Sequence, residues 1–207
     1  MKPPLCERLQ SVYGSQDKAA LILKLPRRSV LSSDSYNFLV GVLHSDEEAL
    51  VKFAAARSLA RADPYGVADH VVPVFLQLIT DAKPLILAYK PIAVSGYDAL
   101  DEICMGLSVV GKKHSTLICP VLLQALDKYR SFHAAMIAHA LLALIFDGTA
   151  VVEGIPFQEL PMEQQEVLQG IATSTRVWRF NMNMAETMIH FGLPTSREEF
   201  NRFCGIS

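Results

Sequence analysis

Apolar residues recur at three- and four-residue steps through most of this chain, the spacing that lines one face of an α-helix. Within 48–62 the positions Val51, Ala54, Ala55, Ser58, Leu59 and Ala62 form one such stripe, while Lys52, Arg57 and Arg61 lie off it. Several stripe residues are small, which lets a neighbouring helix approach closely. No stretch alternates β-branched with polar residues between turn signals, so strands are not expected. The pattern predicts helices over about 34–43, 48–62, 67–80, 92–109, 131–146, 162–174, 178–191 and 195–203, with two short ones at 5–13 and 16–25 around Gly14. Asp34 and Ser35 are candidate caps for the first of these, Ser45-Asp46-Glu47-Glu48 for the second, and Thr195-Ser196-Arg197-Glu198 reads as a capping box for the last. Segment 81–91, with Pro84 and Pro91, and segment 149–161 read as loops.

Two phrases repeat along this pattern. Ala56-Arg57-Ser58-Leu59, Tyr97-Asp98-Ala99-Leu100 and Ala138-His139-Ala140-Leu141 place their closing leucines 41 residues apart both times. Val72-Pro73-Val74-Phe75-Leu76-Gln77-Leu78 returns as Cys119-Pro120-Val121-Leu122-Leu123-Gln124-Ala125, offset by 47 residues. Pro73 and Pro120 predict either a helix start or a bend at that point in both copies. Periods of this length mark stacked helical arrays, in which units too small to bury their own apolar faces share one continuous core. The difference between the two offsets assigns the 81–91 loop as an insertion.

Composition narrows the picture. The 207 residues are 51% hydrophobic and 19% charged, so most helices must carry more than one buried stripe. Formal net charge is −2, from 19 Lys and Arg against 21 Asp and Glu, which supplies no general field for nucleic acid or anionic membrane. Cys6, Cys104, Cys119 and Cys204 are scattered and form no C-x-x-C pair, so they read as reduced thiols, with Cys104 and Cys119 in the core. The first residues turn polar too soon for a signal peptide, and the longest apolar run, 134–146, falls short of the roughly 20 residues that cross a bilayer. A cytoplasmic chain without a membrane span is expected.

The stretch from Leu43 through His44-Ser45-Asp46-Glu47-Glu48-Ala49-Leu50-Val51-Lys52-Phe53-Ala54-Ala55-Ala56-Arg57-Ser58-Leu59-Ala60 resembles a HEAT repeat: a helix ending in Leu, an acidic turn, then Val, a basic residue and an Ala-rich inner helix. The likeness is clearest over 34–64, weaker over 66–110 and 114–147, and faint beyond 149. It implies a single domain over 1–207, an all-α, right-handed α-solenoid of about three to four helix pairs with atypical capping helices: cap helices in 1–33, three repeats in 34–147, and a degenerate repeat with a C-terminal cap in 148–207. In that family the turn acid and the basic residue after the inner-helix Val help form a ladder between repeats; Asp46 and Lys52 match, whereas Ala93 and Ala134 stand where later basic residues belong. The resemblance implies a binding scaffold and specifies no reaction. HEAT-like relatives with chemistry, bacterial DNA glycosylases and bilin lyases of phycobiliproteins, supply the alternatives.

In the 41-residue register Arg57 aligns with Asp98 and His139, and Arg61 with Glu102 and Ala143. Arg57, Arg61, Tyr97, Asp98, Asp101, Glu102 and His139 are therefore the candidate partner-binding patch on the concave face, with an Arg57 to Asp98 contact between repeats as the purely structural reading. Arg and Tyr are residue types enriched at binding hot spots, which points to a protein partner. His133 and His139 lie about 240° apart around one helix and cannot share a metal from it; no metal or cofactor is expected, and no H-E-x-x-H, G-x-S-x-G, phosphate-loop or dinucleotide pattern occurs. Trp178, between Arg176 and Arg179, reads as a core plug, or in the nucleic-acid alternative as a base-stacking residue alongside Arg57 and Arg61. Met182, Met184 and Met188 could form an adaptable apolar surface. The expected function is a non-enzymatic protein-interaction scaffold.

Overall fold

The computed structural model describes residues 4–25, 31–93, 96–146, 154–179 and 181–206, side chains of 181–183 aside. All regular structure among them is helical, and no single helix is long and apolar enough to cross a membrane. The chain divides into two compact units, Met1–Val110 and Gly111–Ser207, with the boundary inside the stretch of phrase repeats.

The first unit contains α1 (Leu5–Gln10), α2 (Ser15–Leu23), α3 (Ser33–Leu43), α4 (Ala49–Ala62), α5 (Ala68–Thr80), α6 (Lys83–Tyr89) and α7 (Ala99–Val110). Helix α4 is its axis and touches α2, α3, α5, α6 and α7. Its burial is correspondingly wider than one stripe: Phe53, Ala54, Ala55 and Ala56 are all fully buried. Four consecutive buried residues span every side of a helix, and the alanines let the surrounding helices approach.

Helix starts differ from the sequence expectation for reasons of local hydrogen bonding. Ser32, rather than Asp34 or Ser35, caps α3 through its side chain, which accepts from Ser35 N at 3.3 Å; Asp34 then lies in the first turn, where the helix dipole favours an acid. Glu48 is the N-cap of α4, extended and without a side-chain cap bond. The segment expected to be an insertion loop is α6 followed by a 3₁₀ turn at Lys90–Ile92. Pro84 sits in the first turn of α6, where its missing N–H costs no hydrogen bond, and Leu85 and Tyr89 form a buried pair four residues apart. Segment 83–92 turns 105° away from α5. Pro73 lies inside α5 and Pro120 inside α8, both as the sixth residue, exposed, with the helix carried through.

The second unit contains α8 (Ser115–Ala125), α9 (Ser131–Ile145), α10 (Met162–Thr173), α11 (Asn181–His190) and α12 (Arg197–Phe203), with short 3₁₀ turns at Lys112–His114, Phe157–Glu159 and Val177–Arg179. Helices α8 and α9 pack on each other and on α10; α9 also takes α11 and the Val177–Arg179 turn, and α10 takes α12. Trp178 is a core plug, its Nε1 donating to Ile171 O at 3.1 Å and its ring 5.3 Å from Phe200. Met184 and Met188 are fully buried, so neither contributes an apolar surface; the side chain of Met182 lies outside the described residues. Ser196, one residue later than expected, caps α12, with Glu199 completing the box.

Leu59, Leu100 and Leu141 are all fully buried. Leu59 and Leu141 occupy the eleventh position of α4 and α9, whereas Leu100 is the second residue of α7. The middle phrase therefore straddles a helix start, and its Tyr97 and Asp98 precede the helix. Truncating this leucine removes a fully enclosed side chain. Leu100→Ala should lower stability by about 2 to 5 kcal/mol through the cavity it leaves, measured by urea unfolding; a change under about 0.5 kcal/mol would place Leu100 at the surface.

Candidate functional site

The charged residues singled out in the sequence fall into three settings. Arg57 and Arg61 extend from the C-terminal half of α4, one turn apart, and Glu102 from the first turn of α7. The Glu102 carboxylate takes both guanidiniums: Arg57 Nε donates to Oε2 and Nη2 to Oε1, each at 2.8 Å, and Arg61 Nη2 donates to Oε2 at 2.9 Å. Tyr89, the last residue of α6, points its hydroxyl at Oε1 from 3.4 Å and packs its ring edge-on against Phe53 at 5.0 Å. The Glu102 and Arg57 side chains are 2% and 8% exposed, and Arg61 reaches the surface at 30%. Arg57 thus pairs with Glu102 rather than Asp98, four residues further on and one helical turn deeper. The planar fork of Arg57 on both carboxylate oxygens is the geometry that makes such bonds strong.

Asp98 and Asp101 are occupied locally. Asp98 Oδ1 accepts from Leu100 N at 3.0 Å and Asp101 N at 3.1 Å, while Asp101 Oδ2 accepts from Asp98 N at 3.2 Å. This reciprocal capping box satisfies otherwise orphaned donors at the start of α7, and Asp101 is buried there. Tyr97, just outside the helix, is 45% exposed. Both acids sit close to Cys104, whose thiol is pushed well up by burial first and by Asp101 and Asp98 second; it stays protonated and unreactive. Cys119 and Cys204 are also buried, so Cys104 and Cys119 are core residues as expected.

His139 belongs to the second unit. Its Nδ1 lies 3.5 Å from Thr187 Oγ1, and its ring stands edge-on to Phe191 at 6.0 Å. Burial lowers its pKa, and neighbouring His190 lowers it further. The candidate patch is therefore not one set of exposed side chains: Arg57, Asp101 and Glu102 are interior, and His139 sits among the aromatics of the other unit. Asp46 and Lys52, the matches to the inter-repeat ladder, make no side-chain hydrogen bond or ion pair among the described residues, while adjacent Glu47 takes Lys18 Nζ at 2.6 Å.

Beside the Glu102 cluster lies a groove of about 310 Å³, walled by Ala60 and Pro64, Phe75, and Met105, Val109 and Val110, with Arg57, Arg61 and Glu102 at one side. Gly106 shapes it: a Cβ there would come within 2.6 Å of Phe75 Cε2, so only glycine admits the Phe75 ring at this depth. Val109 is 50% exposed at the margin. The groove and Tyr89 were not legible from charge. Their signals are the off-stripe Val109 and the Leu-Ile-Leu-Ala-Tyr run of 85–89, masked by the two flanking prolines.

No protein-family model, curated protein or solved structure matches the chain.

The His139 environment gives a pH dependence. A folded-state pKa below the unfolded one means that only the unfolded chain takes up this proton as pH falls below about 6.5. Stability from this group is present above that pH and is lost on acidification down to the folded-state pKa. Melting temperatures between pH 8 and 5 should fall less steeply in His139→Gln than in the parent; parallel slopes would show that His139 is solvated.

Proposed function

We propose that this chain is a HEAT-like helical-repeat protein, a right-handed α-solenoid of about three to four helix pairs with atypical caps, and that it binds a protein partner without catalysing a reaction. The layering inside each unit supports the architecture. In the first, α4 packs on α7 while α3 packs on α5; in the second, α9 packs on α11 while α8 packs on α10, the neighbour pattern of stacked helical pairs.

The groove beside Arg61 carries the functional reading. Its apolar walls and a partly exposed guanidinium held by Glu102 are the components of a protein-binding hot spot, an anchor pocket with a fixed positive charge at its edge. Mutual pairing of Arg57, Arg61 and Glu102 suits a fixed recognition surface better than proton transfer, which needs a group free to change its charge. The partner would insert an apolar side chain against Phe75, Met105 and Val109 and bring an acidic group near Arg61.

Of the residues that the nucleic-acid alternative depends on, Arg61 and Arg179 reach the surface, whereas Trp178, Arg57 and Arg176 are engaged. Trp178 is enclosed against Phe200, Arg57 is spent on Glu102, and Arg176 Nη1 donates to Tyr129 O at 2.6 Å. Affinity purification from the native source with Val109→Asp provides the test. Val109 is half-exposed but lies in the last turn of α7, where the helix dipole disfavours an acid, so the substitution should cost no more than about 1 kcal/mol, and a partner captured by the parent chain should be lost. Undiminished capture by a folded Val109→Asp would remove the groove from the account, and salt-sensitive binding to a mixed DNA and RNA pool would replace the protein partner with nucleic acid.

A further inference from the structure

A second groove, of about 280 Å³, runs between α8 and α10 of the second unit, with apolar walls made by Pro120 and Leu123 on one side and Met162 and Val167 on the other. Its floor is a close approach of the two helices, since a Cβ at Gly170 would collide with Leu123 Cδ2. At this size it sits just under the range of about 300 to 1,000 Å³ that holds drug-sized ligands, and it fits one long side chain. Met162 is 75% exposed, and Leu117 on α8 is 53% exposed, so apolar surface extends beyond the groove itself.

The charged groups here are both carboxylates, which accept hydrogen bonds. Glu163 Oε1 is enclosed and has no hydrogen-bond partner among the described residues. Its charge is felt at the groove wall, where the Cys119 thiol is pushed up to about 12 by burial first and by Glu163 second. Thr116 and Pro120 both line the groove, and because Pro120 has no N–H, the Thr116 carbonyl lacks its helical donor on that face. Glu166 adds a second, exposed carboxylate. Among the described residues no basic side chain lines the groove. An enclosed, unpaired carboxylate oxygen costs free energy that a cationic donor would recover.

We propose that this groove receives a lysine side chain from a segment of a partner protein. The four-carbon stem lies along Pro120, Leu123, Met162 and Val167, and the ammonium pairs with the Glu163 carboxylate and donates to the Thr116 carbonyl, with Glu166 adding attraction from the rim. Lysine fits better than arginine, because one enclosed oxygen is a point acceptor, whereas a guanidinium fork engages a two-oxygen edge. The apolar walls favour an alkyl-ammonium over a hydrated metal ion, whose shell would find no partners on them. The proposal stands on the second unit and holds whatever occupies the groove beside Arg61.

Selection of displayed peptides of random sequence on the full chain, followed by fluorescence anisotropy of one enriched peptide, tests it. Enriched peptides should carry lysine beside apolar residues, and replacing that lysine with norleucine should weaken binding at least tenfold. Glu163→Gln should weaken the lysine peptide tenfold and leave the norleucine peptide unchanged. Pro120→Ala returns a helical donor to Thr116, so it should weaken binding while the melting temperature holds or rises, which separates a lost contact from a damaged fold. Absence of enrichment, enrichment of arginine or of peptides without a basic residue, or equal affinity for Glu163→Gln and the parent would each overturn the proposal.

Discussion

One carboxylate organises the first unit. Glu102 is nearly sealed from water, and burying an isolated carboxylate costs several kcal/mol even after relaxation. Arg57 and Arg61 from α4 and Tyr89 from α6 offset that cost together. A rotation or slide of any of these helices would leave a buried charge with fewer partners, so the cluster fixes how α4, α6 and α7 meet. The larger share of stability comes from what surrounds it, the enclosed Phe53, Phe75, Leu59, Leu100 and Ile103. Buried ion pairs are weak evidence for stability and better understood as devices for register.

This arrangement decides what the surface can offer. Charges that look available for a partner in the sequence are interior or tied up in a helix cap, and Arg61 alone of the cluster reaches the solvent appreciably. What remains beside it is apolar and concave, shaped by the missing Cβ of Gly106 and the ring of Phe75. Recognition under the proposed reading therefore proceeds by anchoring an apolar side chain against a fixed cation. The second unit presents the converse, apolar walls beside a carboxylate whose enclosed oxygen lacks a donor among the described residues. The two grooves would select for opposite polar partners.

Much of the helical architecture was legible, because three- and four-residue periodicity is strong wherever a helix is buried on a broad face; 67–80, 131–146 and 162–174 match their helices to within a residue or so at each end. Boundaries set by side-chain hydrogen bonds were not. Asp98 looked like a surface residue at the position of Arg57 because the repeated phrase was followed as if the helix continued backwards, and only its bonds to Leu100 N and Asp101 N reveal that α7 starts there. Pro84 and Pro91 suggested a loop, although proline in a first helical turn is compatible with the helix that brings Tyr89 to Glu102. The Arg61 and Glu102 alignment did correspond to a contact. Its depth could not be foreseen, since burial of a charge depends on partners from a third helix.

The central claim is that Arg57 and Glu102 act as one internal clasp. A double-mutant cycle on chemical unfolding, with Arg57→Met, Glu102→Leu and the pair, tests it most directly. Glu102→Leu strands the buried Arg57 guanidinium and should cost about 3 to 5 kcal/mol; Arg57→Met leaves Glu102 with Arg61 and Tyr89 and should cost less, and the double variant should recover most of the Glu102→Leu loss. Small, additive effects, each within about 0.5 kcal/mol, would show the two side chains to be independent surface charges and would contradict the account.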